Sequence, residues 1–343
     1  MSGAGCATIR SAGTRCTIRV LISAGGTVTA QSLVKALRED GRTSFVAVVD
    51  LDELNATKFF TDAFVRVPPA ADPAFVDACL DVVRRYEIEL FVPIIVEREF
   101  LPLEGARAAF AELGCTVAVP PRDIVLVTAD KLAFAAFLER LGIETPKTTA
   151  YATDLRDISF PAYLKPRQGS GSVGTQRFAS LATLHEAARG RDDLIVQEAV
   201  DGTEFTVDCF AAEPGRVVAA VPRERIAIKA GVSVKGRTYR HLQIETIASD
   251  VVAKSGIAGP ANVQGMLRAD GSFSIIEMNP RFSGTLALTT AAGINFATLL
   301  LDRYEGKPLS DLRGRHRAGV TMMRYWSEAF EHPDGERWLG TTM

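Results

Sequence analysis

Short apolar runs alternate with longer amphipathic stretches through the first third of the chain. Four of the runs predict β-strands: residues 17–23, 44–50, 90–95 and 116–120. Three stretches with apolar residues at helical spacing predict helices: residues 28–39, 73–85 and 101–113. Strands that alternate with helices of this length predict a parallel sheet in a Rossmann-like layer, where ligands lie at the carboxyl ends of the strands.

The pattern changes after Pro120 and Pro121. The next elements predict a small α/β unit: a helix at 131–141, strands at 162–166 and 175–179, and a helix at 181–190. Residues 197–280 predict antiparallel strands with one connecting helix. The remainder predicts a helix, a strand and a polar tail: residues 285–304, residues 320–325 and the residues beyond.

These elements divide the chain into three modules behind a leader. The leader, rich in small and hydroxyl residues, is predicted to be disordered. The predicted boundaries are 1–16 for the leader, 17–120 for the Rossmann-like module, 121–196 for the small module and 197–343 for the antiparallel module. The fold class is therefore α/β with an α+β C-terminal part.

Composition narrows the class of protein. The 343 residues are 47% hydrophobic and 23% charged with a formal net charge of −2, which speaks against a nucleic-acid binder. No apolar run approaches the roughly 20 residues that span a bilayer, and the leader lacks a signal-peptide core. We therefore expect a cytoplasmic protein. The five cysteines are widely scattered without metal-ligand spacing, so we expect free thiols.

A glycine run lies between two predicted strands of the small module. Residues 169–174 match the dinucleotide fingerprint G-x-G-x-x-G, yet that fingerprint opens a helix and this run precedes an alternating strand. A glycine- and serine-rich hairpin offers free backbone N–H groups to phosphate oxygens. Lys165, four residues earlier, adds a positive charge. The alternative is a mobile surface hairpin.

A second hairpin carries a predicted metal site. Asp270-Gly271 between alternating apolar residues predicts a two-residue turn, which places Gln264 opposite Glu277. Because side chains alternate with period two, these two residues share a face with Asn279. Hard oxygen ligands of this kind suit Mg²⁺ that also binds substrate phosphates. The alternative, a polar solvent face, does not explain Arg281, which could stabilise a transferring phosphoryl group.

The end of the strand before residue 197 predicts a nucleotide hinge. The amide of Gln197 and the backbone groups that follow it could read the edge of adenine. Glu204 begins an alternating strand, and its carboxylate is suited to accept hydrogen bonds from ribose hydroxyls. Each of these residues alone is more often a polar surface group than a ligand, and the order of the motifs gives the set its weight.

Two further groups are candidate substrate ligands. Gly25-Gly26 and the carboxylates of Glu97 and Glu99 follow neighbouring strands of the Rossmann-like module, so they are expected to face one crevice. The guanidinium groups of Arg223 and Arg225 could hold a carboxylate through bidentate contacts. Solvated arginines on a strand are the competing interpretation.

Taken together, these motifs resemble those of the ATP-grasp superfamily, with the carbamoyl-phosphate synthetase large subunit and stand-alone carboxylate–amine ligases as the nearest likeness. The resemblance covers residues 17 to about 309. It implies an ATP-grasp fold in which ATP is held between a lid subdomain at 121–196 and the C-terminal subdomain at 197–343. It also implies ATP and Mg²⁺ (or Mn²⁺) as cofactors and a homodimer as a common assembly.

The resemblance also implies roles for individual residues. Phosphate binding falls to Lys131, Lys165, Ser170, Gly171 and Ser172. Adenine and ribose binding falls to Gln197, Glu198, Val200 and Glu204. The metal ligands are Gln264, Glu277 and Asn279, and Arg281 is catalytic with Lys165. Ala199 departs from the family, where a larger residue is usual, and this sequence has one motif set instead of two.

The implied reaction activates a small-molecule carboxylate as an acyl phosphate and couples it to an amine. Three alternatives remain open: activation of bicarbonate as in a carboxylase or a carbamoyl-phosphate-forming enzyme, ATP binding without turnover, and a nicotinamide-dependent dehydrogenase. The complete set of Lys165, Glu277, Asn279 and Arg281 argues against a module without turnover. The identities of the acid and the amine do not follow from sequence.

Overall fold

The computed structural model describes residues 17–340 except 153, 154, 156, 170, 172 and 230, together with all side chains in that range except that of Glu97. The predicted leader and the predicted phosphate ligands Ser170 and Ser172 lie outside the described residues. Within that part of the chain, no helix is long and apolar enough to cross a membrane. The three cysteines it contains, Cys79, Cys115 and Cys209, are buried free thiols as expected.

The first module is a five-stranded parallel sheet in the order β3-β2-β1-β4-β5. Its strands are β1 Ile18–Ile22, β2 Thr43–Asp50, β3 Ala63–Arg66, β4 Leu90–Val92 and β5 Thr116–Val117. Its helices are α1 Val28–Asp40, α2 Phe75–Tyr86, α3 Val96–Gly105 and α4 Arg107–Glu112. The Rossmann-like prediction is confirmed. Two details were wrong: β3 was missed, and the single helix predicted at 101–113 is the pair α3 and α4.

Local interactions fix both ends of helix α1, whose N-terminus lines the candidate site. Thr27 has an extended backbone and its hydroxyl accepts a hydrogen bond from Ala30 N at 3.2 Å, which caps the helix. Gly41 ends the helix with φ 79°, a conformation that favours glycine. The apolar face of α1 is buried, so the N-terminus of the helix is held at a fixed position beside β1.

The second module combines three helices with a four-stranded antiparallel sheet in the order β6-β9-β7-β8. The helices are α5 Arg122–Ala129, α6 Lys131–Arg140 and, inside the sheet unit, α7 Leu181–Ala187. The strands are β6 Thr148–Ala150, β7 Ala162–Pro166, β8 Gln176–Phe178 and β9 Leu194–Glu198. The glycine run joins β7 to β8, so the prediction that it links two strands is confirmed.

The third module is a six-stranded antiparallel sheet in the order β14-β13-β10-β11-β12-β15. Its strands are β10 Thr203–Glu213, β11 Arg216–Lys229, β12 Val232–Thr238, β13 Gly259–Leu267, β14 Phe273–Asn279 and β15 Thr321–Met323. Helix α8 Leu242–Ser255 connects β12 to β13, as predicted. The helix predicted at 285–304 is two helices, α9 Leu286–Ala291 and α10 Phe296–Tyr304, because Gly293 has φ 99° and Asn295 caps the second.

The predicted polar tail contains a hairpin. Its strands are β16 Ala329–Glu331 and β17 Arg337–Leu339, and the rings of Phe330 and Trp338 stack at 5.4 Å. Glu331 forms an ion pair with Lys58, which lies in a 3₁₀ helix (Ala56–Phe59) of the first module. The hairpin of β16 and β17 therefore contacts the first module.

One apolar core joins the first and third modules. It contains Ile22 and Leu33 of the first module together with Phe210 and Phe296 of the third. The side chain of Asn295 donates to Ala36 O at 2.9 Å and reinforces the contact. The second module has its own apolar cluster around Leu164 and Val196. A cleft remains where the second module faces the other two.

Candidate active site

A cavity of about 360 Å³ lies in this cleft. Nine residues predicted as ligands line it: Lys131, Lys165, Gly171, Glu204, Arg225, Gln264, Glu277, Asn279 and Arg281. These nine residues belong to the second and third modules. The first module contributes Thr27, Val28 and Thr29 at the start of α1, and Ile94 and Ile95 after β4. The cavity therefore brings the glycine loop, the metal hairpin and the first helix together.

The metal hairpin has the predicted pairing at its functional end and a different turn. Gln264 pairs with Glu277 and Asn262 pairs with Asn279, as predicted. At the turn, Arg268 N donates to Ser272 O at 2.9 Å, so the loop has three residues instead of the predicted two. A β-bulge between Gln264 and Gly265 inserts one extra residue in β14 and restores the predicted pairing.

Two of the three predicted metal ligands, Gln264 and Asn279, are hydrogen-bonded to the third, Glu277. Gln264 Nε2 donates to Glu277 Oε1 at 2.5 Å, and Asn279 Nδ2 donates to the same oxygen at 3.1 Å. Since oxygen and nitrogen of an amide are assigned from the hydrogen-bond network, a flip of either amide presents an oxygen instead.

The carboxylate of Glu277 and the amides of Gln264 and Asn279 suit Mg²⁺ better than they suit a metal ion whose ligands all come from the protein. No group of three or more His, Cys, Asp or Glu suited to a metal occurs among the described residues. One carboxylate and two amides leave coordination positions for water and phosphate oxygens, which is how proteins usually hold Mg²⁺. The residues present therefore fit a magnesium–nucleotide complex.

Lys165 is buried beside the hinge. Its side chain is 8% exposed, and its Nζ donates to Gln197 Oε1 at 2.6 Å. Burial lowers the pKa of Lys165 from 10.5 to about 8, against the opposing effect of Glu277. A nearby anion such as a phosphate would favour its charged form.

Lys131 and the glycine loop are connected directly. Lys131 begins α6, where Asp130 caps the helix, and its Nζ donates to Gly169 O at 2.7 Å. The opposite wall also touches the loop, because a Cβ added to Gly231 would lie 2.6 Å from Gly171 Cα. Gly169 and Gly171 thus contact Lys131 on one side and the turn that holds Gly231 on the other.

The hinge residues lie beside Lys165 and outside the described lining of the cavity. The Nε2 of Gln197 donates to Thr148 Oγ1 at 2.8 Å, so both ends of this amide contact the second module. Glu198 Oε1 accepts from Ser159 N at 2.8 Å. The role of Gln197, Glu198 and Val200 in adenine binding stays a prediction.

The two candidate arginines have different surroundings. Arg225 donates to Glu204 at 2.7 Å, to Gln264 and to Gly231 O at 2.8 Å, and burial lowers its pKa. Arg223 is 4% exposed and pairs with the buried Asp208, 3.0 Å from Nη2 to Oδ1. Arg225 therefore links the predicted ribose and metal ligands, whereas Arg223 lines a neighbouring cavity.

Glu99 is not among the lining residues of the cavity, but it fixes the backbone of Ile94 and Ile95, which are. Its Oε2 accepts from Ser23 Oγ at 2.5 Å, from Ile94 N at 3.2 Å and from Ile95 N at 2.9 Å. Burial raises the pKa of this carboxyl group. Glu99 thus ties β1 to the segment between β4 and α3, and substrate binding by Glu97 or Glu99 stays a prediction.

Sequence reasoning missed several residues at the site. Thr29 of α1 lines both cavities, and Asn262, Ser283 and Thr285 line the neighbouring one. The sequence did contain a signal for Thr29, because Thr27, a typical helix-capping residue, directly follows the glycine turn and predicts that α1 begins there. Asn262 lies two residues before Gln264 on the same face of β13, so alternation was a signal for it as well. Ser283 and Thr285 reach the cavity through contacts between distant segments, which sequence spacing does not reveal.

Two family models match the chain. Residues 20–118 match the model described as "PylC-like, N-terminal domain", and residues 190–325 match "ATP-grasp in the biosynthetic pathway with Ter operon". The carbamoyl phosphate synthase large chain of Myxococcus xanthus is 25% identical over 311 residues, which cover 82% of this chain and 28% of that protein. The D-alanine–D-alanine ligase of Anaeromyxobacter sp. is 30% identical over 193 residues, 49% of this chain and 63% of that protein.

Solved structures share the fold. The L-amino acid ligase from Bacillus licheniformis has a TM-score of 0.70 at 19% identity, covering 93% of this chain and 83% of that one. The biotin carboxylase domain of the Hydrogenobacter thermophilus 2-oxoglutarate carboxylase has a TM-score of 0.71 at 15% identity, covering 89% and 73%. The chain spans less than a third of the carbamoyl phosphate synthase large chains that it matches.

The chain has the fold of ATP-grasp proteins. More particularly, residues 190–325 are similar to the ATP-grasp domain described for the Ter operon, and residues 20–118 are similar to a PylC-like N-terminal domain.

Proposed function

We propose that the protein is an ATP-dependent ligase that activates a carboxylate as an acyl phosphate and couples it to an amine. The supporting observation is the convergence of Gln264, Glu277 and Asn279 beside Lys165 and Arg281 around one cavity. Such a set can hold Mg²⁺ between phosphate oxygens and offset the charge of a transferring phosphoryl group. The lid, residues 121–196, would exclude water from the acyl phosphate.

In this proposal the side chains bind and orient the reactants. Lys131 and Lys165 would bind phosphate oxygens. Gln264, Glu277 and Asn279 would hold Mg²⁺, which would supply positive charge against the phosphates when bound. Arg281 contributes to the walls of both the 360 Å³ cavity and its smaller neighbour. Its guanidinium can therefore stabilise the negative charge of the phosphoryl group as this group passes from the nucleotide to the acid.

The chemistry needs no nucleophile from the protein. A carboxylate oxygen of the acid bonds to the γ-phosphorus of ATP, the bond to the bridging oxygen breaks, and ADP leaves with that electron pair. The amine nitrogen then attacks the acyl carbon, the bond from that carbon to the phosphate oxygen breaks, and the amine proton passes to solvent. The products are an amide, ADP and phosphate.

A coupled assay of ADP release, run over a panel of acids and amines, tests this function. Glu277→Ala should abolish acid-dependent ADP release while Tm stays near that of the wild type, because this carboxylate is a half-buried cavity residue outside the core. Glu213→Ala, at an exposed glutamate of β10, is the control and should keep the wild-type rate. A folded Glu277→Ala protein with full activity would overturn the metal site and the function built on it.

A further inference from the structure

The N-terminus of helix α1 faces both cavities of the cleft. Thr27, Val28 and Thr29 line the 360 Å³ cavity, and Thr29 also lines a smaller cavity of about 110 Å³ beside it. The described residues predicted to bind nucleotide phosphates line the larger cavity and not the smaller one: Lys131, Lys165 and Gly171. Thr29 therefore lies at the boundary between the predicted phosphate site and the smaller cavity.

Two backbone N–H groups in the first turn of α1 have no acceptor in the part of the chain that the structure describes. They belong to Val28 and Thr29. The capping residue Thr27 serves the N–H groups that follow, because its hydroxyl accepts from Ala30 N at 3.2 Å and its carbonyl accepts from Gln31 N at 3.1 Å. The first N–H groups of a helix point out past its N-terminus, where they can bind an anion. Because Val28 and Thr29 line the larger cavity, such an anion would lie in the cleft.

The hydroxyl of Thr29 is a third donor that is not used within the described residues. Thr29 is 7% exposed, yet its Oγ1 makes no hydrogen bond to any of them. The carbonyl four residues earlier, Gly25 O, already accepts from Thr57 Oγ1 at 2.5 Å. Thr29 Oγ1 points toward the third module instead, since it lies 3.6 Å from the position of a Cβ added to Gly284, which lines the smaller cavity. Buried hydroxyl groups normally have a partner, so this one indicates a ligand.

The carboxylates around the cleft do not take these donors. The first turn of α1 contains no acidic residue, so nothing within the helix offsets the partial positive charge of its N-terminus. Asp50 accepts from Gly26 N at 2.7 Å and lines neither cavity. Glu204 and Glu277 line the larger cavity, but they accept from Arg225 and from the amides of the metal hairpin. The donors of α1 are therefore available to an anionic group of a ligand.

The proposed reaction brings two kinds of anion to this boundary, the nucleotide phosphates and the carboxylate of the acid. The attacking oxygen approaches the γ-phosphorus roughly in line with the leaving oxygen, so the carboxylate must lie beyond the phosphates, on the side away from ADP. Lys131 and Lys165 of the second module are the predicted phosphate ligands, whereas Thr29 reaches the cavity next to them from the first module. This placement favours the carboxylate as the ligand of α1.

We infer that the N-terminus of α1 binds the carboxylate of the acid substrate through the hydroxyl of Thr29 and the N–H groups of Val28 and Thr29. This inference rests on the proposed ligase function and gives the binding site of its acid. An ionised carboxylate only accepts hydrogen bonds and has about four positions for them, so three donors from one helical turn suit it. The first module then holds the acid, while the other two modules hold the nucleotide.

Steady-state ADP release tests the role of the Thr29 hydroxyl. The acids are acetate, lactate, succinate, the protein amino acids and bicarbonate, each with hydroxylamine as the amine and saturating Mg²⁺–ATP, and the fastest acid is used for all variants. Thr29→Val keeps the shape of the side chain and removes the hydroxyl. It should raise KM for the acid at least about tenfold, as expected for a lost hydrogen bond to a charged group, and leave KM for ATP unchanged.

Two further variants control for a structural role of Thr29. Thr29→Ser retains the hydroxyl and should keep KM for the acid near the wild-type value. Thr128→Val makes the same substitution as Thr29→Val in helix α5, at a threonine that donates to Ile124 O at 2.8 Å and lines neither cavity. It should leave both KM values unchanged.

Proline at position 28 tests the backbone donors. Proline is favoured at the first position of a helix, and Thr27, with φ −77° and ψ 149°, has the extended conformation required before proline. Val28→Pro therefore removes one of the N–H groups without breaking α1, and it should raise KM for the acid about fivefold or more. Leu242→Pro, at the first position of α8 and 79% exposed, is the control and should leave this KM unchanged.

The outcomes separate the acid site from the proposed function. An unchanged KM for the acid in folded Thr29→Val or in folded Val28→Pro overturns the inference and leaves the ligase function standing, and either variant decides if the other does not fold. An equal loss of Mg²⁺–ATP affinity, measured by calorimetry without acid, also overturns it, because α1 would then bind a nucleotide phosphate. If bicarbonate alone releases ADP, the coupling of an organic acid is wrong, and the same variants decide the site with bicarbonate. Wild-type protein that releases no ADP with any of these acids overturns the proposed function and the inference with it.

Discussion

The β-bulge at Gly265 is expected to determine whether the metal hairpin is assembled. A Cβ added to Gly265 would lie 2.6 Å from Ser274 O and 2.7 Å from Phe273 Cζ, closer than real Cβ atoms approach. Ser274 belongs to the partner strand and Phe273 is in the core, so neither can move freely. Gly265→Ala must therefore push β14 away from β13 by several tenths of an ångström.

The loss of stability in Gly265→Ala can be judged from the overpacking that the added Cβ causes. Overpacking in a well-packed region costs about 1–3 kcal/mol, and in a protein of this size each kcal/mol lowers Tm by roughly 2–4 °C or less. The functional effect should be larger than the loss of stability implies, because Gln264 and Glu277 flank the bulge. We expect Mg²⁺-dependent ATP binding, measured by calorimetry on the folded variant, to weaken at least about tenfold.

Gly271→Ala in the same hairpin is the matched control. Gly271 has φ 86° and no atom within 4 Å of an added Cβ, so its substitution strains the turn without displacing a neighbour. It should cost about 1 kcal/mol and leave Mg²⁺–ATP affinity unchanged. If Gly265→Ala bound Mg²⁺–ATP as tightly as Gly271→Ala, the bulge would not be what positions the ligands.

Three further substitutions are expected to give distinct results. Because burial lowers the pKa of Lys165 to about 8, the free protein loses this charge as pH rises through that value, and Mg²⁺–ATP binding at about pH 8.5 should take up a proton. Calorimetry in buffers of different ionisation enthalpy measures the uptake, which Lys165→Arg should remove. Asp208→Asn leaves buried Arg223 without its partner and should lower the free energy of unfolding by about 3–5 kcal/mol in urea titrations. Gly231→Ala should raise KM for ATP more than it lowers kcat, because its Cβ would push against Gly171.

Controls for the last two come from exposed positions of the same sheet. Glu213→Gln removes a surface pair with Arg216 and should change the free energy of unfolding by about 0–1 kcal/mol. Gly215→Ala, at φ 84° with open space around it, should leave KM for ATP unchanged. Equal effects in the paired variants would contradict the assignments, as would a proton uptake that survives in Lys165→Arg.

The sequence predicted those elements whose burial is regular along the chain. Strands β1 and β2 are buried on both faces of a parallel sheet, so they appear as continuous apolar runs. Strand β3 is only half-buried over four residues, and β17 is exposed throughout, so neither leaves a clear pattern. The break between α9 and α10 depends on the positive φ of Gly293, and a single glycine does not reveal its conformation in the sequence.

The residues of the candidate site were also predictable only in part. Gln264, Glu277 and Asn279 lie on one hairpin, so period-two alternation was enough to group them. The partners of Arg223 were not predictable, because Asp208, Ser283 and Thr289 meet it only after three segments have packed together. Spacing along the sequence thus predicts which candidate ligands lie together on one hairpin. It does not predict which distant side chains neutralise a buried charge, and only the structure reveals them.

The metal pairing was predicted correctly from a turn that was wrong, and the reason lies in the bulge. A three-residue loop shifts the register by one residue, and the extra residue in β14 shifts it back before Glu277. Strict alternation would put Ile276 and Glu277 on opposite faces, yet both line the 360 Å³ cavity. The bulge therefore does more than restore a register: it lets an apolar side chain and the predicted metal-binding carboxylate line the same cavity from consecutive positions.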